Sequence, residues 1–271
     1  MAIITLTTGW ADDFYVAAMK GILLSGIPSV QVVDLSHRAP AFNNGILYAA
    51  HIVKQSYSYF PKDTVHIISI ASEYSDNTPF AAAYHNGHYF IGTDNGIFGL
   101  LFDNEPNAMV CIEKYKDDAS PNYPAFSVFA PAAVHLATGG NIAELGRNYA
   151  DYQRKSMVKA TLEESQITGM IVYINAFGNA ITNITREDFE RVGKNRQFEI
   201  LLYSIRNKIT RINKYFHETS RGELLAVFNV SGYLEIAQNK GKLADIFQLS
   251  LNSNIIVKFF NISSGSITKH K

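Results

Sequence analysis

The sequence predicts an α/β domain, a mostly parallel sheet with flanking helices, followed by an all-β domain that is a small barrel or a sandwich. In the first half, short β-branched runs alternate with longer runs of helical periodicity, a pattern typical of parallel sheets covered by helices. In the second half, short alternating runs are separated by turn signals, as in small all-β domains. Between them, residues 148–166 are polar and charged, which favours a linker or a surface excursion.

Local patterns predict the elements of the first domain in chain order. Strand, helix, strand, helix and strand are expected at residues 3–7, 14–24, 29–35, 43–60 and 64–71. Two further strands, residues 80–84 and 88–92, are joined by Asn86-Gly87, the strongest short signal for a hairpin turn. Residues 109–112 form another apolar, strand-like run.

Residues 121–140, PNYPAFSVFAPAAVHLATGG, join a loop to an apolar helix. Pro121 and Pro124 disfavour helix in the first half of this stretch. The alanine-rich run from Phe129 predicts a buried helix, since a proline falls in its first turn and two glycines follow its end. Functional groups are often carried by a loop that a rigid helix supports, so we expect ligand contacts within residues 121–128.

Seven runs of the second domain are predicted as strands, and residues 186–192 as a helix. The strands are expected at residues 169–175, 180–184, 198–204, 208–216, 223–230, 233–237 and 255–260. We therefore place the domains at residues 1–147 and 167–262, with the linker at 148–166 and a disordered tail at 263–271.

Composition argues against several classes of function. The chain has 24 basic and 24 acidic residues and no net charge, so it lacks the basic field that nucleic-acid binding uses. The single cysteine, Cys111, excludes an internal disulfide and a cysteine-based metal cluster. No signal segment and no apolar run of membrane-spanning length is present. We expect a cytoplasmic protein with no metal, nucleic-acid or membrane partner.

Generic catalytic motifs are absent, including the dinucleotide-binding glycine motif, the P-loop, the nucleophile elbow and the zinc-protease helix motif. Trp10 falls in the first strand-to-helix loop, where it could stack on a flat ligand or plug the core. Asp12 and Asp13 could bind a metal or hydroxyls, although acidic residues at a helix start more commonly stabilise the helix dipole and its cap. His37 follows the second strand, where open α/β sheets place ligands.

Several segments, in order and at matching spacing, resemble the S-adenosylmethionine hydroxide adenosyltransferases, which are relatives of fluorinases and chlorinases. These segments are ITLTT with DFYV and MKG, VVDLSH, YFPKDTVHI, TDNG, FAPAAVHLATG, FGNAITNI and SGYLEIA. The resemblance covers nearly all of residues 3–250. It implies an N-terminal α/β domain, a C-terminal β-barrel and a homotrimer, with ligand sites between one subunit's N-terminal domain and its neighbour's C-terminal domain.

The reaction that this resemblance implies is attack of hydroxide or halide on the ribose C5′ of S-adenosylmethionine, with release of methionine and no additional cofactor. In the hydroxide-using branch, a carboxylate, an arginine and a histidine activate water. The corresponding positions here hold Ala71, Thr78 and Pro124, none of which can act as an acid, a base or a cation. Glu73 and Asp76, with Tyr74 between them, are candidate substitutes in the same loop.

Ligand-binding candidates also follow from the resemblance. Thr8 replaces the family's ribose-binding aspartate, whereas Phe177 and Asn179 match its adenine-contacting segment. Asp94 and Asn95 match as well, although a tight turn alone could require them. The full set of candidates is Thr8, Trp10, Asp13, Asp94, Asn95, Phe126, Phe177, Asn179 and Ser231.

Three hypotheses about function are therefore open. The chain could be an adenosyltransferase or S-adenosylmethionine hydrolase, with weak or absent hydrolysis and substitute catalytic groups. It could instead be a non-catalytic or regulatory protein that binds an adenine nucleoside. In the third hypothesis, the site binds a different small molecule, because Trp10 and Phe126 make the cleft more aromatic. S-adenosylmethionine is the expected substrate or ligand.

Overall fold

A computed structural model describes residues 1–40, 44–73, 75, 78–115, 120, 122–202 and 208–260. The chain divides into two compact units, Met1–Met157 and Val158–Lys271, called the first and second unit below. The predicted tail at 263–271 lies outside the described residues. Within the described part of the chain, no helix has both the length and the apolar character needed to cross a membrane.

The first unit is built on one seven-stranded sheet. Its strands are β1 (Ile3–Thr8), β2 (Gln31–Ser36), β3 (Val65–Ser69), β4 (Phe80–His85), β5 (His88–Thr93), β6 (Ala108–Ile112) and β7 (Gly146–Asn148). They lie in the order β2-β1-β3-β5-β4-β6-β7. The first four in this order run parallel and the others pair antiparallel. Asn86 (φ 50°) and Gly87 (φ 84°) join β4 to β5, as the hairpin prediction required.

Helices cover both faces of this sheet. They are α1 (Phe14–Gly26), α2 (Gly45–Ser56), α3 (Ile97–Leu101) and α4 (Ala130–Ala137). α1 and α4 pack on one face, and α2 and α3 on the other. Because side chains alternate along a strand, Ile67 of β3 enters the first of these cores and Ile68 enters the second. The predicted α/β class is confirmed.

A π-helical turn, Ala125–Phe129, leads directly into α4. The prediction that prolines keep this stretch non-helical was wrong for the described residues. Pro124 (φ −63°, ψ −21°) precedes the turn, and at a helix start the N–H that proline lacks would have no intrahelical partner. Pro131 lies in the first turn of α4 and Gly139 (φ 90°) follows its end, as predicted.

The second unit is an antiparallel, nearly closed barrel, which confirms the predicted all-β domain. Its strands are β8 (Thr161–Leu162), β9 (Gln166–Ile174), β10 (Ala180–Thr185), β11 (Gln197–Leu202), β12 (Lys208–Ile209), β13 (Leu224–Phe228), β14 (Tyr233–Gln238) and β15 (Asn254–Phe260). The order is β12-β11-β15-β9-β10-β14-β13, and β8 pairs with β9. β12 and β13, at the two ends of this order, also contact each other. Inward-facing aliphatic side chains fill the barrel.

The second unit also contains two helices. The first, α5 (Arg186–Gly193), was predicted, whereas α6 (Leu243–Phe247) was not. One strand prediction was wrong. Within the predicted strand 208–216, only Lys208–Ile209 is extended in a sheet. The Glu218 carboxylate accepts hydrogen bonds from the backbone N–H of Tyr215 at 3.1 Å and from Asn213 Nδ2 at 3.1 Å. These local bonds satisfy groups that a sheet would otherwise use.

Candidate functional site

Several of the predicted site residues follow the carboxyl ends of the parallel strands in the first unit. Thr8 ends β1, His37 follows β2, Ala71 follows β3 and Asp94 follows β5. β2 and β3 lie on opposite sides of β1, so the connections after β1 and β3 leave in different directions. In open α/β sheets, the crevice at such a point is the usual place for a ligand.

Thr8 is fully buried, and its hydroxyl is held by neighbouring groups. Its Oγ1 lies 2.8 Å from His37 Nδ1 and accepts the Trp10 N–H at 3.3 Å. His37 Nε2 lies 3.2 Å from Asp34 Oδ1, and Lys20 Nζ donates to Asp34 Oδ2 at 2.5 Å. Partial burial raises the pKa of Asp34, but the contacts with Lys20 and His37 outweigh burial and hold that pKa below its ordinary value. The Thr8 hydroxyl is therefore fixed in position through His37.

Trp10, Tyr15, Tyr123 and Phe126 form a group of rings, called the aromatic cluster below. Trp10 stacks on Phe126 with centroids 5.4 Å apart, and Tyr15 stacks on Tyr123 with centroids 5.5 Å apart. The two tyrosine hydroxyls lie 3.2 Å apart, and this hydrogen bond raises the pKa of Tyr15. The structure thus brings the predicted residues Trp10 and Phe126 together, but their rings contact each other.

The positions expected to activate water lie in the first unit but differ in their surroundings. Ala71 is exposed and adopts left-handed backbone (φ 46°), Thr78 is half-buried, and Pro124 is buried. Glu73 is exposed, whereas Tyr74 and Asp76 lie outside the described residues. Within the described ranges, no group of three or more His, Cys, Asp or Glu side chains could hold a metal ion.

Asp94 and Asn95 form hydrogen bonds within the first unit. Asp94 is fully buried, and its Oδ2 accepts from the Tyr149 hydroxyl at 2.7 Å and the Gln153 N–H at 2.9 Å. Burial, together with that hydrogen bond, raises the pKa of Tyr149. Asn95 Nδ2 donates to the carbonyl oxygen of Ile70 at 2.8 Å. These hydrogen bonds connect Asp94 and Asn95 with the loop after β3 and with the beginning of segment 148–166.

Asp13 precedes α1, where its exposed side chain makes no capping hydrogen bond. Its carboxylate contributes to the raised pKa of Tyr15, after the larger effects of the hydrogen bond between Tyr15 and Tyr123 and of burial. Asp13 therefore lies close to the aromatic cluster and is left available to solvent.

The second unit contains an open cleft with a volume of about 930 Å³. The turn between β9 and β10 contributes Phe177 to its lining, and the side chain of Phe177 is 75% exposed. Asn175 Oδ1 accepts the N–H groups of Phe177 and Asn179, both at 3.0 Å, which holds the turn in one conformation. Gly178 has φ 77°, and a Cβ atom there would lie 2.9 Å from Lys242 Cβ. The ring of Phe177 is thus projected outward from a rigid turn.

The cleft is also lined by apolar and cationic groups. Phe216 and Val230 line it, and both are exposed. Lys214, Lys240 and Lys242 also line it, and none of these lysines forms an ion pair with a described residue. Ser231, predicted to bind ligand, is next to Val230 in the chain but is not among the lining residues.

A buried carboxylate, Glu235, lies in the wall of the cleft. It belongs to β14 and is only 7% exposed. Its Oε1 accepts from Asn179 Nδ2 at 2.8 Å and from Asn175 Nδ2 at 3.2 Å. Phe177 and Asn179, both predicted from the sequence, therefore line the same cleft as Glu235, an acidic residue that was not predicted.

Sequence models of one family match both units. The model described as the SAM hydroxide adenosyltransferase N-terminal domain matches residues 4–146, and that of the C-terminal domain matches residues 169–256. The chain belongs to the SAM hydroxide adenosyltransferase family. The relationship inferred from the short segments is thereby confirmed.

Relatives within this family are similar along almost their whole length. An (R)-S-adenosyl-L-methionine hydrolase of Thermus thermophilus is 27% identical over 253 residues, which are 88% of this chain and 92% of the relative. A fluorinase of Actinoplanes sp. is 24% identical over 289 residues, or 92% and 94% of the two chains. A solved structure of an uncharacterized conserved protein from Thermotoga maritima superposes with a TM-score of 0.85 at 23% identity, covering 95% of this chain and 100% of that one.

Sequence reasoning missed Glu235, Tyr15 and Tyr123. An acidic residue within the apolar run YLEIA was the available signal for Glu235, because a carboxylate in a buried strand needs hydrogen-bond donors. Tyr15 and Tyr123 are 108 positions apart in the chain, and no local pattern links them.

Proposed function

We propose that the chain binds S-adenosylmethionine or a related adenine nucleoside in the cleft of the second unit, and hydrolyses S-adenosylmethionine weakly or not at all. The observation that carries the proposal is the exposed Phe177 ring on a rigid turn beside Asn179 and Glu235. An exposed aromatic face can stack on a nucleobase while the polar groups bind its edge. The cleft volume of about 930 Å³ falls within the range of small-molecule sites.

Weak hydrolysis is proposed because the water-activating positions carry no titratable group. Ala71, Thr78 and Pro124 can neither remove a proton from water nor supply a positive charge. The relatives named as hydrolases support S-adenosylmethionine as the ligand. By the same relationship we propose a cytoplasmic homotrimer that needs no cofactor.

Calorimetry with S-adenosylmethionine and adenosine, followed by chromatography of the reaction products, tests this proposal. We expect saturable binding of at least one of the two compounds, and adenosine release close to the uncatalysed background. Absence of binding by both compounds would reject the proposed site. Rapid release of adenosine and methionine would leave the site intact and overturn the proposed loss of hydrolysis.

A second candidate function is regulatory binding of an adenine nucleoside without turnover. The replacements at Ala71, Thr78 and Pro124 favour it, because they affect chemistry and leave Phe177 and Asn179 in place. The remaining hypothesis, a different small molecule recognised through Trp10 and Phe126, gains no support from their geometry, because these rings stack on each other.

Replacing Phe177 with alanine is expected to weaken nucleoside binding by about tenfold or more, because stacking on a base contributes roughly 1–3 kcal/mol. The free energy of unfolding should change by less than about 0.5 kcal/mol, since an exposed side chain contributes little to folding. Calorimetry and urea denaturation measure the two effects. Ile246→Ala, at another exposed apolar side chain outside the cleft lining, is the matched control and should bind normally.

A further inference from the structure

The exposed charges that line the cleft of the second unit are all positive. Lys214, Lys240 and Lys242 line the cleft, and all three side chains are exposed. Glu235 is the one acidic residue among the described residues of the lining. It is only 7% exposed, and its Oε1 already accepts hydrogen bonds from two asparagine side chains. A ligand in the solvent-accessible part of the cleft therefore faces ammonium groups.

These three charges are not neutralised within the described part of the chain. None of the three ammonium groups forms an ion pair or a hydrogen bond with a described residue, although Lys214 Nζ lies over the Tyr215 ring, 5.2 Å from its centroid. Lys208, also in the second unit, differs in that its Nζ lies 2.8 Å from a carboxylate oxygen of Glu199. One unpaired lysine on a surface is ordinary. Three that line the same cleft create a local positive potential.

The backbone beside two of these lysines is held in place. A Cβ atom on Gly178 would lie 2.9 Å from Lys242 Cβ, and the Ala244 N–H donates to the Gly178 carbonyl oxygen at 2.9 Å. Lys242 is thereby kept next to the turn that carries the exposed Phe177 ring. Lys240, two positions earlier, has left-handed backbone (φ 54°) in a hydrogen-bonded turn. Both ammonium groups thus extend from fixed backbone close to that ring.

The charge of a ligand decides how well it suits this lining. Adenosine is neutral, and S-adenosylmethionine carries a sulfonium and an ammonium group against one carboxylate, so its net charge is positive. A nucleoside phosphate is an anion. Lysine ammonium groups repel positive ligands and form strong, charge-assisted hydrogen bonds with phosphate oxygens.

We propose that the cleft binds an adenine nucleoside that carries a phosphate group, and that the ammonium groups of Lys214, Lys240 and Lys242 bind the phosphate oxygens. This proposal rests on the proposed nucleoside binding and adds the charge of the ligand to it. It ranks the compounds in a definite order, with the nucleoside phosphate first, neutral adenosine second and S-adenosylmethionine no tighter than adenosine.

Calorimetry on the full chain with adenosine 5′-monophosphate, adenosine, S-adenosylmethionine and inorganic phosphate tests this order. At low salt we expect the monophosphate to bind at least about tenfold more tightly than adenosine, because charge-assisted hydrogen bonds are about twice as strong as neutral ones. Raising sodium chloride from about 0.05 M to about 0.5 M should weaken the monophosphate and leave adenosine almost unchanged, because salt screens exposed charges. Inorganic phosphate alone should bind more weakly than the monophosphate.

The double variant Lys240→Gln, Lys242→Gln removes two charges and keeps polar side chains. Its affinity for the monophosphate should fall to within about threefold of its affinity for adenosine, while adenosine binds as before. Lys194→Gln is the matched control. Lys194 is also an exposed lysine with left-handed backbone (φ 47°), but it is not among the lining residues, so the preference for the monophosphate should persist.

The possible results separate this proposal from the proposed function. Adenosine that binds as tightly as its monophosphate, S-adenosylmethionine that binds more tightly than either, or a preference that survives in the double variant would overturn the lysine proposal and leave nucleoside binding established. Inorganic phosphate that binds as tightly as the monophosphate would show a site for free anions and would also overturn it. If no nucleoside compound binds, the proposed function itself is rejected. Should the double variant not fold, equal salt dependence for the monophosphate and adenosine in the unchanged protein would contradict the proposal.

Discussion

The triple variant Ala71→Asp, Thr78→Arg, Pro124→His is expected to release adenosine from S-adenosylmethionine at least about 100-fold faster than the unchanged chain, because positioned acid–base groups typically contribute 10²–10⁴-fold to the rate of a reaction. Position 71 suits aspartate, since its backbone has φ 46° and it is exposed, and aspartate is among the residues that tolerate left-handed backbone. Chromatography of adenosine at saturating S-adenosylmethionine measures the gain.

Position 124 requires a separate control. Pro124 is buried at the start of the π-helical turn, so a histidine there is expected to lower stability, and the double variant Ala71→Asp, Thr78→Arg shows how much rate is gained without it. The variant Ala71→Asn, Thr78→Gln, Pro124→Asn supplies similar polarity without acid, base or cation, and should give no gain. If the restored chain binds S-adenosylmethionine as before yet releases no more adenosine, absent water activation is not what limits the reaction.

Acid is expected to unfold the protein at a comparatively high pH because four histidines, His51, His66, His85 and His88, are buried and have lowered pKa values. Burial lowers the pKa of His51 to about 4, and burial together with the neighbouring His88 lowers the pKa of His66 to about 3. Both values lie below the 6.5 expected in the unfolded chain, so the unfolded state takes up protons first. The stabilisation is fully present above pH 6.5 and is lost as pH falls toward 4, at a cost of about 3 kcal/mol for each of His51 and His66. Urea denaturation between pH 7.5 and 4.5 measures this decline.

The surroundings of His66 provide the control for this prediction. Its Nδ1 lies 2.8 Å from Thr5 Oγ1 and its Nε2 lies 3.3 Å from His88 Nδ1, while its ring stacks on Phe90 with centroids 5.0 Å apart. The double variant Thr5→Val, His66→Phe replaces the polar pair with apolar groups. It should reduce the pH dependence below 6.5 without abolishing it, since His51, His85 and His88 are untouched. An unchanged slope would show that His66 is not one of the groups responsible.

Secondary structure could be predicted from the sequence wherever an element was long enough to show a helical or alternating pattern of apolar residues. β3 was expected at 64–71 and observed at Val65–Ser69, and α1 was expected at 14–24 and observed at Phe14–Gly26. α3 and α6 were missed because each has only five residues, fewer than two helical turns, in which helical and extended patterns look alike. The strand expected at 208–216 was wrong beyond Ile209 because local capping by Glu218 outcompeted sheet pairing.

The candidate site was predictable only in part. Trp10 and His37 were predicted from their places after strands, because open α/β sheets bind ligands at the carboxyl ends of their strands, whereas Thr8 was predicted only from the family resemblance. Glu235 could not be linked to Asn179 in this way. Their contact depends on the register in which Ile181 pairs with Glu235 between β10 and β14, and one sequence does not reveal which residues of two distant strands stand opposite each other.

The π-helical turn also decides how the first unit can be redesigned. A turn of this kind takes up more residues than an α-helical turn, and removing one residue from a helix rotates everything before it by about 100°. Tyr123 lies just before the turn, and Phe126 lies within it. A loop transplanted from a relative with one residue fewer between Tyr123 and Ala130 would swing these rings away from Tyr15 and Trp10. The direction of these rings thus depends on the number of residues in this stretch as well as on their identity. Point substitutions keep that number, whereas exchange of the loop for one of a different length changes it.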